Sequence, residues 1–287
     1  MTGGTVRQVL SRLRYDLLGL IAVAVVMTVV VDVVDSAALE SVSTLIPLLG
    51  IVVSIFIGFR NRNAYNRWWE ARTLWSGVLV NSRAFHYALV SYQDGTPAMA
   101  AVTDRMRRRE VRHAFTLAAE LRGTPPAPGL EDLTPEDPAD CSAAGLLSRQ
   151  AADIAELTQA GMIDRQARRV LVTINSAQVT TDVGLERIRH QPIPRFYDIF
   201  IRGLAWFFAI LVCTRVDAGG HDSAAGIVLS VLIMALVIIA EQLGRLLEEP
   251  LSADVFGLPL ERYCAELAAE LTPGSTGPGT VLQLKGK

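Results

Sequence analysis

Residues 46–72 read IPLLGIVVSIFIGFRNRNAYNRWWEAR. From Ile46 to Phe59 the only polar side chain is Ser54, and the chain then turns abruptly to Arg60, Asn61, Arg62 and Asn63. Trp68 and Trp69 follow, held between Arg67 and Glu70. No proline occurs in this stretch after Pro47, so one helix can pass from hydrocarbon into water without a break. Two readings stand side by side: an ordinary spanning helix with a basic flank, or the wall of a pore at its exit. Helical periodicity runs on to about Tyr92, with a bend expected at Gly77. A helix of that length exceeds what a bilayer needs, so its second half belongs to a cytoplasmic domain. Ile51, Ile55 and Phe59 are four residues apart and share one face, over about 12 Å of the axis. In a ring of identical subunits such a stripe forms a hydrophobic collar that gates by dewetting. In a single subunit it serves equally for packing or lipid contact.

Outward from this stretch, the chain divides into apolar runs near both ends and a charged middle. Residues 1–16 form a basic N-terminal segment with Arg7, Arg12 and Arg14, expected in the cytoplasm. A first span is expected over 17–35, because the apolar run is long for a signal peptide and Asp32 interrupts where a cleavage site would begin. An external loop then leads to the second span, 44–60. Two prolines, Pro192 and Pro194, break the chain before a third span over 197–214. A short loop over 215–223 joins it to a fourth span over 224–242. Arg202, near the start of span three, either snorkels to the interface or faces a protein interior. Basic residues flank the spans at the N-terminus, after span two, before span three and after span four. The positive-inside rule therefore places both termini and the central region, 61–196, in the cytoplasm of an inner (plasma) membrane protein. That region is expected to hold helices over about 98–122, 145–161 and 164–189, with a surface loop over 123–138. A C-terminal segment, 243–272, carries an amphipathic helix from about 258 to 271, and a disordered tail, 273–287, follows. The fold class is all-α: four transmembrane helices per subunit and a helical cytoplasmic domain.

The composition removes several function classes. A net charge of -2 over 287 residues leaves no nucleic-acid footprint. Cys141, Cys213 and Cys264 are widely spaced and suggest neither a disulfide framework nor a zinc site. No Gly-rich phosphate loop, HExxH or GxSxG occurs. Asp104, Glu110, Glu186 and Glu241 are scattered among arginines and read as solvated helix faces rather than a catalytic pair. The basic run Arg105, Arg107, Arg108, Arg109 and Arg112 reads as a solvated face or a contact to phospholipid headgroups. An enzyme is not expected, nor a cofactor or bound metal.

The segment GFRNRNAYNRWWEAR, 58–72, closely resembles the bestrophins, with Gly58-Phe59 set nine residues before Arg67-Trp68-Trp69. Gly184-Leu185-Glu186-Arg187-Ile188 followed by Pro192-Ile193-Pro194 is similar to a second signature of that family, and Glu241-Gln242-Leu243 to a third. The resemblance covers about residues 8–270. It implies a homopentameric ion channel in the lipid bilayer, with one central pore and a neck lined by Ile51, Ile55 and Phe59. A cytosolic restriction is also implied, placed best at Gln166, with Arg169 and Val170 as rivals. Calcium-activated animal members carry a dense acidic cluster after span four. Here that stretch reads Glu248-Glu249-Pro250-Leu251-Ser252-Ala253-Asp254, too few oxygens for a hard cation, so no calcium gating is expected. Below Phe59 the pore mouth is expected to carry Arg60, Arg62, Asn63 and Asn66. Their charge favours permeation of monovalent anions, chloride first; a cation-selective (sodium or potassium) channel and a non-conducting membrane scaffold remain the alternatives.

Overall fold

The computed structural model describes residues 14–16, 18–23, 25–26, 45–191, 194–218, 224–254 and 256–272. The expected first span falls largely outside them, as do the loop at 35–43 and the tail at 273–287. Residues 14–16, 18–23 and 25–26 are helical. Seven longer helices follow: α1 (Ile46–Ser91), α2 (Pro97–Arg122), α3 (Ala143–Gln159), α4 (Arg165–His190), α5 (Arg195–Ala218), α6 (Ala224–Leu247) and α7 (Leu260–Leu271). Among the described residues there is no strand, so the protein is all-helical.

Local chemistry sets these boundaries. Asp94 accepts hydrogen bonds from the Thr96 amide and hydroxyl, and Thr96 in turn caps α2 by accepting from the Met99 amide at 3.2 Å. Gly123 closes α2 at φ 67°, a left-handed conformation suited to glycine, and sends its N–H back to Ala119 and Glu120. Ser142 and Asp164 cap α3 and α4 by the same device. α5 extends to Ala218, taking in four residues of the expected 215–223 loop. α1 is a single unbroken helix of 46 residues, through Gly77.

The chain forms two compact units: Met1–Trp68 with Pro192–Pro250 and Asp254–Gly257, and Trp69–Gln191 with Leu251–Ala253 and Leu258–Lys287. α1 contributes its first half to one and its second half to the other. In the first unit Val53 and Ile57 of α1 pack against Ile201, Ala205 and Phe208 of α5 and Met234 and Ile238 of α6. In the second, Phe85 and Leu89 meet Met99 and Met106 of α2, Ile154 and Leu157 of α3 and Leu171 of α4. α7 packs on α2, where the buried Cys264 thiol donates to the Ala114 carbonyl.

Among the described residues no helix is long and apolar enough to cross a membrane by itself. In α1 the apolar run Ile46–Phe59 is about 21 Å long, against roughly 30 Å of hydrocarbon, and α5 carries Asp198 and Arg202.

Candidate functional site

α1 sorts its residues sharply by face. Ile46, Val53, Ile57, Arg60, Ala64, Ala71, Trp75, Val78, Ser82, Phe85 and Leu89 are buried. Their steps of three, four and seven keep one face of the helix buried, its first half within the first unit and its second half within the second. The opposite face is bare in the subunit. Ile51 is 59% exposed, Ile55 50% and Phe59 60%, with Leu48 beside them. The same face runs on to Arg62, Asn63 and Asn66, all exposed. An apolar stripe thus gives way, within one turn, to a polar stretch of the same face. An apolar groove lies along the stripe's flank, walled by Ile51, Ser54, Ile55 and Gly58 of α1 and by Ile233 and Leu236 of α6.

Arg60 does not join that stretch. It is 0% exposed and sits on the buried seam with Ile57 and Ala64. Its Nε donates to Glu248 at 2.7 Å and its Nη1 to Glu241 at 2.7 Å, while Nη2 pairs with Asp198. The expected mouth residue is therefore a buried ion-pair centre, and Glu241 is not on a solvated face. The seam was readable: Val53, Ile57, Arg60 and Ala64 follow helical spacing. The carboxylate partners, 138 to 188 residues away, were not. The next residues are also tied down. Asn61 donates to the Ala240 carbonyl at 3.0 Å, Arg67 to the Glu248 carbonyl at 3.0 Å, and the Trp68 indole to the Phe256 carbonyl at 2.8 Å. Arg202 pairs with Asp16 at 3.0 Å and stays partly exposed at the edge of a cavity. Glu248, committed to Arg60, also lines a cavity together with Asp16, Asp198, Glu249 and Asp254.

In the second unit, Gln166 and Arg169 are exposed on α4 and Val170 is half-buried. The structure also leaves Val172, Val179 and Val183 exposed on α4, and Val80 and Tyr87 on α1. Val183 belongs to the partial apolar stripe that Val170, Ile174, Ala177 and Val183 mark in the sequence; the exposed Val172 and Val179 lie outside that pattern. The basic run on α2 is a correction. Arg109 and Arg112 are buried. Arg109 grips both oxygens of Asp137, at 2.7 and 2.8 Å, and Asp153 at 2.6 Å. Arg112 donates to Thr134 Oγ1 at 2.8 Å and to the carbonyls of Pro138 and Ala139 at 2.5 and 3.0 Å. Arg108, Arg109 and Arg112 therefore fasten the 123–142 loop, while Arg105 pairs with Asp153 of α3 and Arg107 with Asp104 of α2, both partly exposed. Burial alone would push the Asp137 carboxyl up; the Arg109 hydrogen bond and charge outweigh it and hold the group below its ordinary range.

Glu110 is buried too, not on a solvated face. It accepts from the Gln150 and Gln178 amides, each at 2.6 Å, and burial drives its carboxyl pKa up. His113 lies one turn along and meets Asp182 of α4 at 2.8 Å. Burial presses the imidazole pKa down, but the Asp182 charge and hydrogen bond, with Glu110, reverse this and leave it raised.

The model of the Bacterial/Fungal Bestrophin protein family matches residues 3–273. The chain belongs to that family. Among curated bestrophin relatives, the voltage-dependent anion channel-forming protein YneE of Escherichia coli K12 is 26% identical over 230 residues, 78% of this chain and 74% of its own length. The voltage-dependent anion channel-forming protein RSc3414 of Ralstonia nicotianae is 27% identical over 219 residues, 72% and 69% of the two chains. A crystal structure of a bacterial bestrophin homologue from Klebsiella pneumoniae superimposes with a TM-score of 0.79 at 24% identity, over 90% of this chain and 97% of that one. A variant of the same homologue gives 0.79 at 23%. At this identity the likeness carries the bestrophin fold, and the all-helical architecture agrees with it.

Proposed function

We propose that this protein is an anion-conducting channel of the bestrophin type, a homopentamer with one central pore, embedded in the inner membrane with both termini in the cytoplasm. One observation carries the reading. α1 leaves Ile51, Ile55 and Phe59 bare on the face opposite its packed seam and continues that face into Arg62, Asn63 and Asn66. In a ring of five, the three apolar side chains form the neck, and the polar residues below form its mouth. The neck holds no charge, so it gates by wetting and drying and favours ions that shed water easily. The first half of α1 with α5 and α6 forms the membrane part. Helices of moderate apolarity suit a bundle whose polar side chains are paired inside it. The exposed positions of α4, among them Gln166 and Arg169, are the candidates for a second constriction in the cytoplasm.

Two lines favour anions. The curated relatives bear names of anion channel-forming proteins, and Arg62 places a positive charge on the mouth face. With Arg60 buried, the electrostatic case rests on fewer charges than the sequence suggested. A cation-selective pore is the competing outcome, and a non-conducting scaffold the third. Purified protein in liposomes under a potassium chloride gradient separates them. The reading predicts a reversal potential near that of chloride. A potential near that of potassium reverses the selectivity, and an absence of flux removes the channel. The current is expected not to rise with added calcium, because Glu248 and Asp198 are engaged by Arg60.

A further inference from the structure

Arg60 stands where any rotation of α1 is felt at once. At about 100° per residue, Phe59, Ile55 and Ile51 lie about 100°, 140° and 180° around the helix from it. Guanidinium presents its donors in a rigid planar fork, and three separate nitrogens of that fork are used here, each on a different carboxylate. Asp198 belongs to the first turn of α5, Glu241 to the last turns of α6, and Glu248 to the segment just beyond α6. The anchor is therefore set from three directions. The other buried residues on this part of the seam, Val53 and Ile57, make only apolar contacts, which discriminate weakly between neighbouring rotations. Asn61 adds a bond to the Ala240 carbonyl. At Gly244 a Cβ would collide with the Asn61 amide oxygen, so α6 comes up hard against α1 beside the anchor.

We propose that Arg60 is a positioning residue of the pore: its three carboxylate contacts lock the rotation of α1, so that Ile51, Ile55 and Phe59 turn away from the subunit's own core. The assignment rests on the neck reading above and adds what holds the neck in register. A turn of one residue would carry Phe59 into the buried place of Arg60 and bring Ile57 round to the exposed place of Gly58, taking the apolar stripe off the gate. The three carboxylates make that turn costly, because it strands buried negative charge without its cation.

The test reads orientation, which a purely stabilising role would leave alone. In full-length protein with Cys141, Cys213 and Cys264 replaced by alanine, single cysteines are placed at Ile55, Phe59 and Ile57. A charged thiosulfonate is applied to open channels in a planar bilayer, and the rate of current change is measured. With Arg60 present, Ile55→Cys and Phe59→Cys react and Ile57→Cys does not. With Arg60→Met, the rate at Phe59→Cys falls about tenfold and Ile57→Cys becomes reactive, because a freed helix spends much of its time rotated. Arg60→Lys keeps the charge without the fork and falls between. Should Arg60→Met fail to assemble, Asp198→Asn, which removes the most exposed partner, shows the same shift in smaller degree. An unchanged pattern in a conducting Arg60→Met or Asp198→Asn channel overturns the positioning role while leaving the neck in place. Absence of reaction at Ile55 and Phe59 in a conducting protein with Arg60 intact overturns the neck itself, and the positioning role with it.

Discussion

The two halves of α1 show opposite arrangements within one helix. Up to Phe59 its bare face is hydrocarbon and its buried seam holds a charge, Arg60. Beyond Trp69 the bare face is largely polar, and Trp75, Val78, Phe85 and Leu89 are inside. The same contrast separates the units. The first exposes Phe196, Ile199, Phe207, Leu232 and Leu236 while it buries Asp16 and Glu241; the second buries methionine, leucine and phenylalanine as water-soluble domains do. On the channel reading proposed above, the two halves suit different solvents. In hydrocarbon a charge has no water to turn to and is kept inside with partners, whereas in water apolar surface is what must be hidden. Both units also bury ions, in different settings. Arg60 is gripped from three elements, while Arg109 joins Asp137 of the 123–142 loop to Asp153 of α3.

The strongest way to sharpen this comparison is to remove each arginine. Arg60→Ala is expected to cost about 3–5 kcal/mol, since three carboxylates lose their cation, Glu241 among them fully buried. Arg109→Ala is expected to cost less, about 1–3 kcal/mol, because the 123–142 loop that carries Asp137 can open locally and Asp153 of α3 keeps Arg105 as a partner. Thermal unfolding in detergent measures both. Equal losses would erase the distinction between the units.

The second unit should also carry the larger pH dependence. The raised His113 pKa means that its pairing with Asp182 is whole below the ordinary histidine value, about 6.5, and is lost as pH rises through the raised value. Glu110 is raised chiefly by burial, so ionising it is penalised increasingly as pH climbs above the ordinary glutamate value, about 4.3. Both effects lower stability with rising pH. The melting temperature is expected to fall by several degrees from pH 6 to 9, and His113→Gln to flatten that slope. A melting temperature that rises over this range would contradict the arrangement of charges.

A smaller effect belongs to the mouth. Arg62→Gln removes one exposed cation per subunit and is expected to lower the chloride-to-sodium permeability ratio about two- to threefold, read from reversal potentials. No change would leave selectivity to the neck alone.

Much of this was legible before any coordinates. The helix ends at Asp94–Pro97 and around Pro192–Pro194 follow from turn and cap chemistry, and the Ile51–Ile55–Phe59 stripe follows from spacing. What was not legible depends on partners distant in sequence. Arg60 looks like a flank residue until Asp198, Glu241 and Glu248 are brought to it. Arg109 and Arg112 look like a solvated run until the loop carrying Thr134 and Asp137 folds back on them. Glu110 looks like a surface acid until Gln150 and Gln178 close over it. Composition gives charge and periodicity gives a face, but whether a face meets water or another helix is decided by tertiary contact.

The central claim is that the bare apolar stripe of α1 is the neck of a pore. Single-channel recording of the Ile51→Ala, Ile55→Ala, Phe59→Ala triple variant tests it directly. These side chains are exposed in the subunit, so the protein should still fold, and the widened neck should stay wet and conduct more, with openings that no longer flicker shut. A folded triple variant with the conductance and gating of the parent would show that the ions pass elsewhere.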